Sequence, residues 1–365
     1  MTGTTTDPQL KVGVIGLGWA GQQHLAAYAD LPGVEVVALA AQERDLLDSL
    51  GAQYGVTRLF ESWTDLLQLP GLDAVSVAVP TFLHAPIAIA ALERGVHVLS
   101  EKPIARDGDE GQRMVDAARR AGRVLEVAFN HRLRGDVQAL AEVVSGGEIG
   151  RPYHARASWL RRRGIPLLGS WFTDRERAGG GPLIDIGVHV LDFSLHLLGE
   201  PRVVSVSAVT ASELGPRGIG GMARETADRT RSASFDVEDF ATAFLRLEGG
   251  GSLVIETSWA VYRDPQDVMD FRVFATDGGA ELVIRAGSGE VSGDLTIHID
   301  EAGEIADRRI EPVSGRAHDG VVSDFVSHVR DPRTWSAHDG SLALGRARII
   351  DACYRSATEG REVTL

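Results

Sequence analysis

At 365 residues the chain is long for a single core, so two domains are expected. The balance of 51 acidic against 37 basic residues, a net charge of −14, argues against nucleic acid or an anionic membrane as partner. One cysteine, Cys353, excludes an internal disulfide framework and suits a reducing compartment. The first ten residues lack a basic segment and an apolar core, and no apolar run reaches the ~20 residues of a membrane span, so a cytoplasmic protein is expected.

The stretch VGVIGLGWAG organises the N-terminal half. Val12, Val14, Ile15 and Leu17 form a short apolar run without helical period, as in a strand buried on both faces of a parallel sheet. Gly16, Gly18 and Gly21 fit G-x-G-x-x-G before a helix from about Trp19 to Asp30. These glycines serve a tight turn, the approach of backbone to a pyrophosphate, and helix-on-strand packing. With Trp19 and Ala20 they are assigned to a dinucleotide, whose phosphates would face the helix N-terminus. The alternative is a strand-helix turn without a ligand.

Strand and helix patterns then alternate: Val34–Ala40, Arg44–Tyr54, Leu72–Val79, Phe82–Arg94, Val96–Leu99, Asp107–Ala121 and Val124–Phe129. This predicts a doubly wound parallel sheet over residues 1–129, with its ligand beyond the carboxyl ends of the strands. At the end of the second strand Ala41 stands where a ribose-binding acid is expected. Arg44 is either a partner for a 2'-phosphate or a solvated residue of the next helix, and Glu43 offers a 2'-hydroxyl contact instead. NAD and NADP both remain open, with a lean to NADP. Two further strand ends carry polar groups. Pro80, Thr81 and His84 turn into a helix, where Thr81 either meets the cofactor or caps the helix. Ser100-Glu101-Lys102-Pro103 sets an ammonium just past a buried strand, where it can stabilise developing alkoxide charge.

From Asn130 the pattern changes, and residues 130–365 read as an α+β domain for substrate and oligomerisation. A helix from about Leu133 to Val144 and the strand HARASWL lead into a stretch with Trp159, Arg161, Arg162, Arg163 and Trp171. Aromatic faces and guanidinium forks suit a polyhydroxylated ligand, whereas a solvated basic run is the plain alternative. After Gly179-Gly180-Gly181 comes one long apolar helix in which Asp185, His189, Asp192 and His196 share a face, lining either a cleft or the solvent. Asp185 and His189, one turn apart, can reach a common substrate, and histidine titrates in the range of a general acid or base. Ligands strung along one helix face cannot converge on one ion, so no metal is expected. Beyond Pro201, strand runs predict a large, mostly antiparallel sheet with helices on one face, and an open face that favours a homo-oligomer. Ser212–Ser234 is expected to be a loop near the cleft, and two helices close the chain.

With the glycine turn, E-K-P and the run G-G-G-x-L-x-D-x-G-x-H in this order, the sequence resembles the Gfo/Idh/MocA oxidoreductase family over nearly its whole length. The resemblance implies an N-terminal Rossmann domain, a C-terminal α/β domain with a large open sheet, hydride exchange between a nicotinamide cofactor and a secondary alcohol of a sugar or cyclic polyol, and a homodimer or homotetramer. It gives Lys102 the reacting oxygen, His189 the acid/base role and Asp185 substrate orientation, and places Asn130 near nicotinamide and substrate. Ala41, in place of a frequent acid, and Phe82, in place of a frequent Asn, depart from the family pattern and bear on cofactor preference and on one cofactor contact. The alternatives are a redox-neutral enzyme that retains its NAD and a non-catalytic cofactor-binding regulator.

Overall fold

The computed structural model describes residues 9–222, 235–264, 267–285, 293–311 and 314–365. Its elements in the first part of the chain are β1 (Leu10–Ile15), α1 (Trp19–Asp30), β2 (Val34–Ala40), α2 (Arg44–Tyr54), β3 (Leu59–Phe60), α3 (Trp63–Leu66), β4 (Ala74–Val77), α4 (His84–Glu93), β5 (His97–Ser100), α5 (Gly108–Ala121) and β6 (Leu125–Val127). There follow α6 (Gly135–Ser145), β7 (Pro152–Arg161), α7 (Arg175–Ala178), α8 (Pro182–Asp185), α9 (Gly187–Leu197), β8 (Val203–Ala211), β9 (Phe240–Leu247) and β10 (Ser252–Ser258). The chain closes with β11 (Asp267–Ala275), β12 (Gly278–Arg285), β13 (Asp294–Glu301), β14 (Glu304–Ile310), α10 (Ala317–Arg330), α11 (Ser341–Glu359) and β15 (Val363–Thr364). Among the described residues no helix is long and apolar enough to cross a membrane.

Two compact units emerge: Met1–Ala128 with His318–Leu344, and Phe129–Ala317 with Gly345–Leu365. The first holds a parallel sheet in the order β3-β2-β1-β4-β5-β6. β4 and β5 are buried at every position, polar Ser76, His97 and Ser100 included, as strands between two helical layers should be. Strand order reverses between β1 and its neighbours β2 and β4, and that switch point is where doubly wound sheets hold their ligands.

A split after residue 129 leaves out the return of His318–Leu344 to this first unit. The return combines the buried apolar side chains of α10, Val321, Val322, Phe325, Val326 and Val329, with polar contacts. Leu125 N–H donates to the His338 carbonyl (2.8 Å), and Arg119 bonds Asp339 (2.7 Å) and Ser341 (2.8 Å). Arg330 bonds the Gly33 carbonyl (2.7 Å).

The second unit is built on a nine-stranded sheet, β14-β13-β12-β11-β7-β10-β9-β8-β15, antiparallel where its pairings are resolved except between β7 and β10. Alternation sorts its faces. Ala155, Ala157, Leu245, Leu253, Ile255, Phe271 and Val273 are buried on one, where Phe193 of α9 meets Phe271 edge-on at 5.9 Å. Phe244 and Phe274 are exposed on the other, beside Arg156, Ser158, Glu256, Asp270 and Arg272. β14 escaped the sequence reading because it is an edge strand, exposed along nearly its whole length, with no alternation to betray it.

Candidate active site

The glycine turn divides its labour. Gly16 has φ +89°, and a Cβ there would lie 2.1 Å from the Ala78 carbonyl oxygen; one on Gly21 would lie 1.9 Å from that of Gly16. Both are therefore required by the protein's own backbone. A Cβ on Gly18 meets nothing within 4 Å, and Gly18 is the N-cap of α1 with no side chain bonded over the helix end. An uncovered helix N-terminus beside an open glycine fits the pyrophosphate of a dinucleotide, held by the backbone from Gly16 to Gly21. Trp19 begins the helix with 69% of its surface exposed, its ring edge-on to His318 at 5.0 Å.

Ala41 is buried at the end of β2, its N–H bonded to the Phe60 carbonyl (3.1 Å). Arg44 lies on the protein surface and is engaged by acids, with Asp48 at 3.0 Å and Glu61 at 3.3 Å. Pro80 and Leu83 hold the N-cap positions of the turn and helix after β4, so buried Thr81 is not the cap.

His84, proposed from the sequence among the cofactor-binding residues, ties two strand-end loops together. Its Nδ1 lies 2.8 Å from the Pro103 carbonyl oxygen and its Nε2 2.8 Å from that of Val79, so the ring joins the loops after β4 and β5. Burial holds its pKa below the ordinary histidine value, against the pull of the two carbonyls.

Glu101 is anchored beneath the second of these loops. Its N–H bonds the Val77 carbonyl (2.8 Å), its Oε2 accepts from Lys102 N–H (3.1 Å), and its Oε1 lies 3.3 Å from Nε2 of fully buried His24. His24 continues to Ser76 Oγ (3.1 Å), which also meets the Tyr28 hydroxyl (3.0 Å). Burial opposes ionisation of Glu101, but the bond and charge of His24, with Lys102 and His318, outweigh it and hold the carboxyl below its usual range. Lys102 follows at the strand end, half-buried, with a cis bond to Pro103.

In the second unit the helix expected to run unbroken past Asp185 is interrupted at Ile186, between α8 and α9. Asp185 accepts a bond from Trp259 Nε1 (2.9 Å). His189, only 7% exposed, lies among aromatic rings, 4.5 Å from His131 and 6.0 Å from Trp159, which are 5.3 Å apart. Trp159 Nε1 donates to Asp267 Oδ1 (2.8 Å), and Arg161 stacks over Trp159 at 4.6 Å with its Nε 3.2 Å from Asp267 Oδ2. The Arg161 charge is thus matched within the protein. Asn130 opens the short turn Asn130–Leu133 that carries His131. Arg162 and Arg163 are exposed, and Trp171 stacks on Phe172 at 3.8 Å.

The polar stripe of α9 is neither solvent face nor uniform lining. Asp192 is 1% exposed and takes a bidentate bond from Arg132 (2.6 and 2.6 Å) and one from Arg346 (3.1 Å), while both guanidiniums reach Glu200. Asp185 and His189 therefore differ in kind from Asp192. Sequence reasoning also missed Glu238, which accepts from Gly181 N–H (3.0 Å), Leu183 N–H (3.0 Å) and the Tyr354 hydroxyl (2.8 Å), fixing the glycine run before α8. Burial raises its pKa, the three donors opposing. No local signal marks it, since its partners are distant in the chain; His131, adjacent to Asn130, was within reach. The first part of the 212–234 loop winds around Asp239, whose Oδ2 accepts from the N–H groups of Glu213, Leu214 and Gly215. Residues 223–234 lie outside the described residues.

Comparison with known proteins follows the same division. Residues 10–129 match the model of the oxidoreductase family with the NAD-binding Rossmann fold, and residues 137–281 match the GFO/IDH/MocA C-terminal domain. The chain is 32% identical over 367 residues, 100% of each chain, to a D-glucoside 3-dehydrogenase of Escherichia coli. It is 27% identical to a myo-inositol 2-dehydrogenase of Thermotoga maritima, over 98% of each. A levoglucosan dehydrogenase solved with NADH and L-sorbose superposes with a TM-score of 0.80 at 26% identity, covering 98% of this chain and 99% of that one.

Proposed function

Because the chain belongs to the Gfo/Idh/MocA oxidoreductase family, we propose that it is a nicotinamide-dependent dehydrogenase acting on a ring hydroxyl of a glycoside or cyclic polyol. The observation that carries this reading is His189, buried against His131 and Trp159 one turn after Asp185, in a chain whose glycine turn keeps Gly18 open. The cofactor supplies a hydride acceptor, or donor in reduction. His189 takes the hydroxyl proton, Lys102 bonds the reacting oxygen and steadies its developing charge, and Asp185, oriented by Trp259, binds a neighbouring hydroxyl. Asn130, Trp159 and His131 offer polar and aromatic surface to the ring. Arg161, already matched by Asp267, serves to hold Trp159 rather than to read a carboxylate, so Arg161→Ala should lose activity equally on neutral and acidic sugars.

NAD is the proposed cofactor. Arg44, which follows the end of β2, is already engaged by Asp48 and Glu61, which disfavours a 2'-phosphate. The open face of the second sheet is proposed to meet a second copy of the chain.

A panel of glucosides, anhydrosugars and inositols, offered with NAD and NADP and followed by absorbance of the reduced cofactor, tests the reading. Turnover with at least one ring polyol, and faster with NAD, is expected; no reduction with any of them points to the NAD-retaining or regulatory alternative. Positioned acid/base catalysis is worth ~10²- to 10⁴-fold. His189→Ala should therefore lose at least about 100-fold in kcat while NAD binding persists, and near-normal turnover reassigns the base. If Lys102 and His189 serve the same step, the double variant Lys102→Ala/His189→Ala loses far less than the product of the single losses.

A further inference from the structure

The segment His318–Leu344 carries a cluster that the dehydrogenase chemistry does not use. His328 in the last turn of α10 and His338 just before α11 both aim Nδ1 at Oε1 of Glu126 on β6, each at 2.6 Å. Their rings stack at 3.6 Å, only 20° from parallel. The three donor atoms lie within 4.8 Å of one another, and the side chains of Glu126, His328 and His338 keep 17%, 30% and 29% of their surface exposed.

We propose that Glu126, His328 and His338 bind a divalent cation of the zinc class. Two imidazole nitrogens and one carboxylate oxygen converging on one point is the donor set of a three-ligand zinc site, and two nitrogen donors select against Mg²⁺ and Ca²⁺. Tetrahedral zinc with bonds of roughly 2.0–2.2 Å sets its donors about 3.4 Å apart, so each imidazole nitrogen draws back from Glu126 Oε1 by about 0.8 Å, which side-chain rotation supplies. The remaining exposure leaves a path for the ion and room for water as the fourth ligand.

The frame is already rigid. The His338 carbonyl accepts from Leu125 N–H (2.8 Å), next to Glu126, and His338 N–H bonds the Trp335 carbonyl (3.1 Å). The His328 carbonyl accepts from Thr334 Oγ1 (3.2 Å). On binding, each Nδ1 exchanges its proton for the cation, to which it gives its lone pair, and nothing is oxidised or reduced. The ion would pin the end of α10 and the following loop to the last strand of the parallel sheet, as a structural clip.

Tag-free full-length protein, stripped with chelator and titrated with Co²⁺, is expected to take up one equivalent with the intense visible absorption of a four-coordinate ion, displaced by Zn²⁺. His338→Gln and His328→Gln should each weaken binding by at least roughly 100-fold, as loss of a direct ligand exceeds the 10- to 100-fold cost of losing a partner behind one. Each should keep parental NAD affinity. X-ray absorption of the zinc-loaded parent tests the ligand set without any variant, and two imidazoles with oxygen are expected. Fewer than two imidazoles, or undiminished uptake in both variants, overturns the proposal, as does failure of the parent to bind. None of these readouts depends on catalysis, so they stand apart from the proposed activity.

Discussion

Gly16, Gly18 and Gly21 share one turn but not one purpose. A methyl on Gly21 would lie 1.9 Å from a carbonyl oxygen of the same turn, whereas on Gly18 it meets nothing within 4 Å. Gly18→Ala should therefore leave Tm unchanged and weaken NAD binding by roughly tenfold or more, while Gly21→Ala should destabilise the fold by about 1–3 kcal/mol. Calorimetric titration beside a thermal melt separates them, and equal effects on both would show that the open space at Gly18 is not where the cofactor sits. His97 supports a pH prediction at the same scale. Its Nδ1 accepts from Val124 N–H (3.0 Å), and burial, aided by Arg123, lowers its pKa to about 4. A depressed histidine pKa means that the unfolded chain binds the proton first, so stability is whole above about pH 6.5 and falls as pH drops toward 4. The loss amounts to roughly 1–3 kcal/mol. Asn at this position offers an oxygen near the place of Nδ1 but cannot titrate, so urea unfolding of His97→Asn should be flatter between pH 7 and 4.5. Parallel curves would assign the acid lability to other groups.

At the scale of elements, α9 shows what pattern reading can and cannot recover. Its apolar period located the helix, and the glycine turn, E-K-P and D-x-x-x-H were legible because each is short and local. Whether a polar residue on that helix lines a cleft or is locked in the interior depends on partners far along the chain. For Asp192 these are Arg132 and Arg346, and no window of sequence contains all three. The bonds of His84 were illegible for the same reason, since its two carbonyl partners lie on separate loops. Two guanidiniums and two carboxylates balance around Asp192. Asp192→Asn leaves buried Arg346 and half-buried Arg132 facing Glu200 alone, a change expected to cost roughly 3–5 kcal/mol and lower Tm by about 10 °C. A drop of only a degree or two would mean that Glu200 and water suffice. Because α9 also carries His189, kcat should fall in the same variant with KM for NAD unchanged.

The large sheet sets the prediction for the whole molecule. One of its faces is closed by helices, and on the other Phe244 and Val254 stand directly opposite each other on β9 and β10, beside a depression of about 190 Å³ lined by Arg156, Ser158, Glu256, Asp270 and Arg272. Apolar side chains ringed by charges already compensated within the chain, such as Arg272 with Glu281 (2.7 Å), suit the self-contact proposed for this face. Both apolar positions retain solvent exposure, so Phe244→Asp/Val254→Asp should fold normally while placing like charges face to face across an isologous contact. Light scattering on a sizing column should then give the mass of one chain, 39.1 kDa, for the double variant and a multiple of it for the parent. A monomeric parent would refute self-association, and a variant that stays assembled would move the contact off this face. Turnover per chain in the dissociated variant measures whether a protomer is competent alone, since Asp185, His189 and Trp159 all belong to the same chain as the glycine turn.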